Sequence, residues 1–221
     1  MTQNQAQNQD ILSILSRIET RLSNVEKKLG IQNTFEKLEQ KNPSEVQDFY
    51  FSSIVKKDDV PLILSWMPKK VKNFELLYDS IKDGSNAGAF HKKCDTKKPT
   101  ITFVKTKKNR RFGGYTERTW NESNGNYIVD ENAFWFSIDE KEKYIVSQPN
   151  YSIYNNAVHG PTFGGAHDLY ISNFCTQNNE SYSSGRDYKL KSKYALNGEN
   201  NFIVESYEVY HVIYEWISYI L

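Results

Sequence analysis

The chain holds 221 residues, with 28 lysines and arginines against 27 aspartates and glutamates, for a net charge of +1. That balance excludes a generic polyanion binder, whose domain would be strongly basic, and a 38% apolar, 14% aromatic composition excludes a wholly disordered chain. Its 15 tyrosines and 12 phenylalanines favour strands with one wet face, while Cys94 and Cys175 alone build no disulfide framework and point to a reducing compartment.

Residues 1–10 form a polar Gln/Asn tract with no means of burying a core, and they are expected to be disordered. The tract has neither the basic nor the apolar region of a signal peptide, and no apolar run reaches the ~18 residues of a membrane span. A soluble, cytoplasmic chain is expected. Residues 11–30 read as a coiled-coil helix. Ile11, Ile18 and Val25 fall at d positions and Leu15, Leu22 and Leu29 at a, with Gly30 as the C-cap. Leucine at a with β-branched residues at d disfavours two strands, so a parallel trimer or tetramer is expected. Arg21 at g and Glu26 at e are placed to pair between neighbouring chains. The same stripe also suits a helix folded back on its own domain.

Residues 31–60 read as linker and helices, with Ser44 and Gln47 forming a capping box that opens a helix through Val55. Pro61 opens a helix through LILSWM, ending at Pro68. Apolar residues at 74, 77, 78 and 81 predict an amphipathic helix from Phe74 to Asp83, closed by Gly84. Ser85 is expected to cap a further helix, NAGAFHKKC. Beyond Pro99 the text turns to strands: TITFVKT, FGGYTER, AFWFSID, KYIVS, YSIYN, DLYISN, FIVES and YEVYHVIY. Clusters such as KKNR, NESNGN, IDEKEK and NNESYSSG separate them as turns. Helices followed by many strands, with no β-α-β alternation, give an α+β class with two packed antiparallel sheets, sandwich-like and flanked by short helices. This domain is assigned to residues 61–221. The apolar end, Trp216 to Leu221, is expected to pack on the domain or form an interface.

The runs LLYDSIKDGSNAGAFHKKCD, PTITFVKTKKNRRFGGYTERTW, DENAFWFSID, GPTFGGAHDLYIS and ALNGENNFIVESYEVYHV resemble a TLDc domain, block by block and in family order. The resemblance spans about Trp66 to Val212, with Ala166 standing where the family often has a third glycine. It marks Gly84, Phe90, His91, Cys94, Gly113, Gly114, Tyr115, Trp120, Gly160, Gly164, Gly165, His167 and Asp168 as signature residues. It implies an oxidation-resistance role without an established enzymatic mechanism or cofactor. It further implies binding to peripheral subunits of the vacuolar-type proton ATPase, which would place the chain at times on endolysosomal or vacuolar membranes.

Several residues suggest chemistry of their own. Gly113-Gly114 and Gly164-Gly165 fit neither dinucleotide nor P-loop spacing and read as sites of close backbone approach. His167-Asp168 resembles an oriented general base that could activate a serine or cysteine, yet adjacent strand residues face opposite sides unless they occupy a turn. His91 and Cys94 have metal-like spacing, but a closed zinc site needs two more ligands from His159, His167, Cys175 and His211, which form no second pair. No metal is therefore expected. A peroxide-reactive or hydrolytic enzyme using Cys94, Cys175 or His167 is the alternative to a non-enzymatic interaction module. A third reading has Lys105, Lys107, Lys108, Arg110 and Arg111, at a hairpin tip, touching an anionic membrane surface. Sequence-specific nucleic-acid reading is not expected, since no recognition helix carries a basic stripe.

Overall fold

The structure, a computed structural model, describes residues 52–121, 124–185, 188 and 196–215. The β-rich half forms two six-stranded sheets. The first contains β1 (Val71–Asp79), β2 (Thr100–Thr106), β3 (Arg111–Thr116), β5 (Phe134–Ser137), β6 (Glu142–Ile145) and β12 (Val204–Tyr214), in the order β1-β12-β2-β3-β5-β6. The second contains β4 (Asn124–Ile128), β7 (Ile153–Asn156), β8 (Thr162–Phe163), β9 (Leu169–Tyr170), β10 (Ser181–Ser183) and β11 (Asn201–Phe202), in the order β11-β10-β9-β8-β7-β4. Neighbouring strands pair antiparallel throughout both sheets. Two short helices, α1 (Val60–Trp66) and α2 (Ala87–Cys94), complete an α+β sandwich.

The first sheet is buried on both faces, so β2 and β5 are buried almost without a break rather than at alternate residues, the threonines of β2 and Ser137 of β5 included. Its inner face supplies Val104, Phe112 and Trp135 to a core shared with Ile153, Phe163, Leu169 and Phe202 of the second sheet. Its outer face supplies Ile101, Phe103, Tyr115, Phe134 and Phe136 to a second core. That core is closed by Ile54, Val55, Val60, Ile63 and Trp66, so the segment entering the domain acts as a cover. The cover is tied down by a carboxylate. Glu208 of β12, 2% exposed, accepts hydrogen bonds from Ser52 Oγ (2.6 Å), Ser53 N (2.8 Å) and Ser53 Oγ (2.8 Å).

Several local expectations change. The helix expected from Phe74 to Asp83 is strand β1 instead. Register shifts at Val71/Asn73 and Leu76/Tyr78 re-phase its pleat, so Phe74 enters the outer core and Tyr78 the inner one. Bulges thus spaced produce an apolar pattern that imitates a helix. The α2 N-cap is Asn86, whose side chain accepts from Ala89 N at 2.9 Å, while Ser85 Oγ receives Thr176 Oγ1 at 2.8 Å. NESNGN and NNESYSSG, expected as turns, contribute β4 and β10. Of the two strands expected at the C-terminal end, FIVES splits, with Phe202 in β11 of the second sheet and Val204 onward running on with YEVYHVIY as β12, which lies between β1 and β2. The heptad residues Ile11 to Leu29, the helix from Ser44 up to residue 51, and Trp216 to Leu221 lie outside the described residues; Ser52 to Val55 are irregular.

Candidate functional site

The signature histidines and glycines converge at one end of the second sheet. α2 directs His91 across to the loop after β7, where its Nε2 meets the carbonyl oxygens of Asn156 and His159, each at 3.0 Å. Its Nδ1 lies 2.6 Å from Asp95 Oδ1. Burial raises the Asp95 carboxyl, against the opposing pull of its hydrogen bond to the His91 ring. His159, reached through that carbonyl, lies edge-on to His167 with ring centroids 5.3 Å apart. Desolvation lowers both imidazoles below their usual value. At His159 the neighbouring His167 and His91 add to the effect, while at His167 the Asp168 carboxylate opposes it. Three of the four histidines therefore meet, although the sequence separates them widely.

The turn before β9 is built around a positive φ. Gly164 sits at φ +85°, where an added Cβ would crowd the Asp168 side chain, and His167 follows at φ +54°. Asp168 is fully buried, and its Oδ1 accepts from Ser184 Oγ at 2.8 Å while its carbonyl accepts from Ser184 N at 2.7 Å. Gly160 donates its N–H to Ile171 O at 2.9 Å, closing the base of the loop. The dyad does occupy a turn, yet the carboxylate faces inward to the Ser184 tie while His167 stacks on Tyr154 with centroids 4.3 Å apart. This carboxylate holds a loop in shape.

Cys94 and Cys175 are both free and fully buried. Burial pushes the Cys94 thiol far up and the Cys175 thiol up to about 12, so neither carries thiolate at neutral pH. Both belong to the inner core around Tyr78 and Tyr207. His91 and Cys94 accordingly face different surroundings, and no group of three or more His, Cys, Asp or Glu among the described residues is placed to hold a metal.

The family model described as TLDc domain matches residues 49–213, about three quarters of the chain. The chain belongs to the TLDc family. A search of curated proteins finds no match to it.

The remaining TLDc signature residues are packing devices. Gly113 leaves room for the Thr102 backbone of β2 and for Phe136, and Gly114 for the Phe163 ring of the second sheet. Phe90 is buried between Tyr78 and Trp120, with ring centroids at 6.0 and 5.6 Å. Trp120 donates its indole N–H to Thr100 Oγ1 at 3.0 Å and packs edge-on to Phe163. Tyr115 stacks on Phe134 and shares a 2.6 Å hydrogen bond with the Tyr214 hydroxyl. Gly84 offers its carbonyl to Tyr78 OH at 2.6 Å. Gly165 accepts from the Tyr127 hydroxyl.

The basic β2–β3 turn is matched by acids. Lys105 pairs with Glu205 at 2.8 Å, Lys108 with Glu199 at 2.6 Å and Arg110 with Glu140 at 2.7 Å. Arg111, 13% exposed, is an internal strut between Asp59 (2.5 Å) and Asp139 (3.0 Å) that binds the cover segment to β3. The turn thus meets solvent with far less net charge than its sequence suggests. Sequence reasoning missed a different feature of this TLDc domain, a file of tyrosines on the outer face of the second sheet. Tyr127, Tyr154, Tyr170 and Tyr182 stand there on four short strands, with His159 and His167 between them. The signal was present as the tyrosines of YSIYN, DLYISN and NNESYSSG and as Tyr127 after NESNGN, but strands of two to five residues offer too little periodicity to aim them.

Proposed function

We propose that this chain is a non-enzymatic interaction module of the TLDc family, acting in oxidative-stress protection by binding the peripheral subunits of the vacuolar-type proton ATPase. The TLDc match over residues 49–213 is the observation that carries this reading. Burial of both thiols and the inward engagement of Asp168 support binding over chemistry, because burial keeps both thiols protonated and the carboxylate beside His167 is engaged by Ser184 in shaping the loop. Self-association through Ile11 to Leu29 as a parallel trimer or tetramer belongs to the same reading, since several linked copies make weak single contacts avid. A cytoplasmic chain visiting vacuolar membranes fits a domain in which no described helix is long and apolar enough to cross a membrane. Affinity purification of the full chain from its native cells, under conditions that preserve the pump, tests the proposal. Enrichment of peripheral ATPase subunits is expected; their absence, with the bait intact and folded, overturns it.

A further inference from the structure

The two sheets differ in one respect that packing does not require. Strands of the first sheet carry Lys, Arg, Asp and Glu, whereas the six strands of the second carry none at all. Their inward residues are buried, and the polar side chains they leave accessible are tyrosine and asparagine. Depletion of charge with enrichment of tyrosine is the composition of an interface centre rather than of ordinary wet surface. The rings are also organised. Tyr182 opposes Tyr170 across β10 and β9, and Tyr127 opposes Tyr154 across β4 and β7. His159 and His167 fill the gap over β8, at 4.8 Å from Tyr170 and 4.3 Å from Tyr154 respectively. Tyr127 remains 36% exposed.

The ends and edges of this file choose its ligand. Tyr127 and Tyr182 commit their hydroxyls to the carbonyls of Gly165 and Ala166, which fixes the rings. Among the described residues, the carboxylate charges felt along the file are those of exposed Glu180, at Tyr170, and of Asp168, buried and turned inward to Ser184, at Tyr182 and His167. The histidines are held toward their neutral form by burial, and His159 Nδ1 is buried without a partner. Electron-rich ring faces beside carboxylates attract a cation, and a planar, weakly hydrated guanidinium stacks on such faces better than an ammonium. From β10 to β4 there are four inter-strand spacings, about 19 Å, which is the reach of about six extended residues. We infer that the tyrosine–histidine face of the second sheet is a docking surface for an extended, arginine-bearing segment of a partner protein.

This deepens the interaction-module reading, on which it rests, and is tested with purified components, so its failure is distinct from absence of the pump. The probe is a fluorescein-labelled seven-residue peptide with arginine at alternate positions among glycine and serine, titrated with the full chain by anisotropy, beside its lysine twin. The arginine peptide should bind about fivefold tighter than the lysine one, the gain of about one well-stacked guanidinium at an exposed ring. Tyr154→Ala combined with Tyr182→Ala should weaken it about tenfold, whereas Tyr154→Phe with Tyr182→Phe, keeping both ring faces, should hold it. Glu180→Gln should weaken both peptides about threefold. Near-UV circular dichroism confirms that each variant is folded. Equal affinity for the two peptides, unchanged affinity in the folded alanine variant, or no binding at about 1 mM chain overturns the inference. Displacement by a neutral oligosaccharide, with the two peptides binding alike, would assign the face to carbohydrate instead.

Discussion

Gly113→Ala and Gly114→Ala should destabilise the domain unequally, because the two residues face opposite sides of β3. At Gly113 a methyl group would overlap the carbonyl oxygen of Thr102 and lie 3.0 Å from its carbon and 2.6 Å from Phe136 Cζ. The obstacle is backbone of the adjacent strand, which pairs Phe103 with Gly113 and Thr102 with Gly114. Relief requires β2 and β3 to part, with loss of about two ladder hydrogen bonds at ~0.5–1.5 kcal/mol each. Overpacking strain adds ~1–3 kcal/mol, and the stiffer unfolded chain offsets ~0.4–1 kcal/mol, leaving about 3 kcal/mol. At Gly114 the methyl meets only the Phe163 ring, at 2.6 and 2.9 Å. A ring can slide, so the cost there is about 1–2 kcal/mol. With ~2–4 °C of melting temperature per kcal/mol, the full chain should lose about 10 °C for Gly113→Ala and about 5 °C for Gly114→Ala. Thermal melts followed by circular dichroism measure both, with urea titrations checking that the m-value is constant. Equal losses, or the reverse order, would refute the reasoning from backbone contact.

Two further outcomes follow from buried titrating groups. Neither Cys94 nor Cys175 should react with a thiol-specific chromogenic disulfide in the folded chain, and both should react on denaturation; rapid native labelling would contradict their burial. His159 and His167 have folded values below the unfolded ~6.5, so the unfolded chain binds more protons. Their contribution to stability is complete above about pH 6.5 and is lost as pH falls through the folded value. The melting temperature should therefore decline from pH 7.5 toward 5.5, and less steeply in His159→Gln/His167→Gln; an unchanged slope in that variant would count against the assignment.

The class of fold was legible because eight β-rich runs after Pro99 could bury little as helices, and α1 was legible from its proline at the first turn. β1 was not, because its two bulges reverse the pleat twice and mimic a helical stripe. The glycine pair at 113–114 read correctly as close approach, but only the fold names Thr102 and Phe163 as the neighbours. The basic turn misled for a related reason: its partners Glu199, Glu205, Glu140 and Asp59 are remote in sequence. The meeting of His91, His159 and His167 likewise depends on α2 packing beside the second sheet. Periodicity records which side of an element is apolar; it carries nothing about which distant element arrives there.

The cover over the first sheet determines where this domain tolerates shortening. A chain begun at residue 61 would discard Ile54, Val55 and Val60, whose burial in the outer core is worth ~1.5–3 kcal/mol per large aliphatic side chain. That loss is of the same order as the ~5–15 kcal/mol that holds an entire domain folded. It would also remove both serines that satisfy Glu208, leaving that carboxylate, among the described residues, the Tyr210 hydroxyl at 3.0 Å. Trimming there turns a concealed aromatic wall, Phe103, Phe134 and Phe136 among it, into a sticky exterior prone to clumping. A start at residue 49, where the family match begins, keeps every one of these contacts.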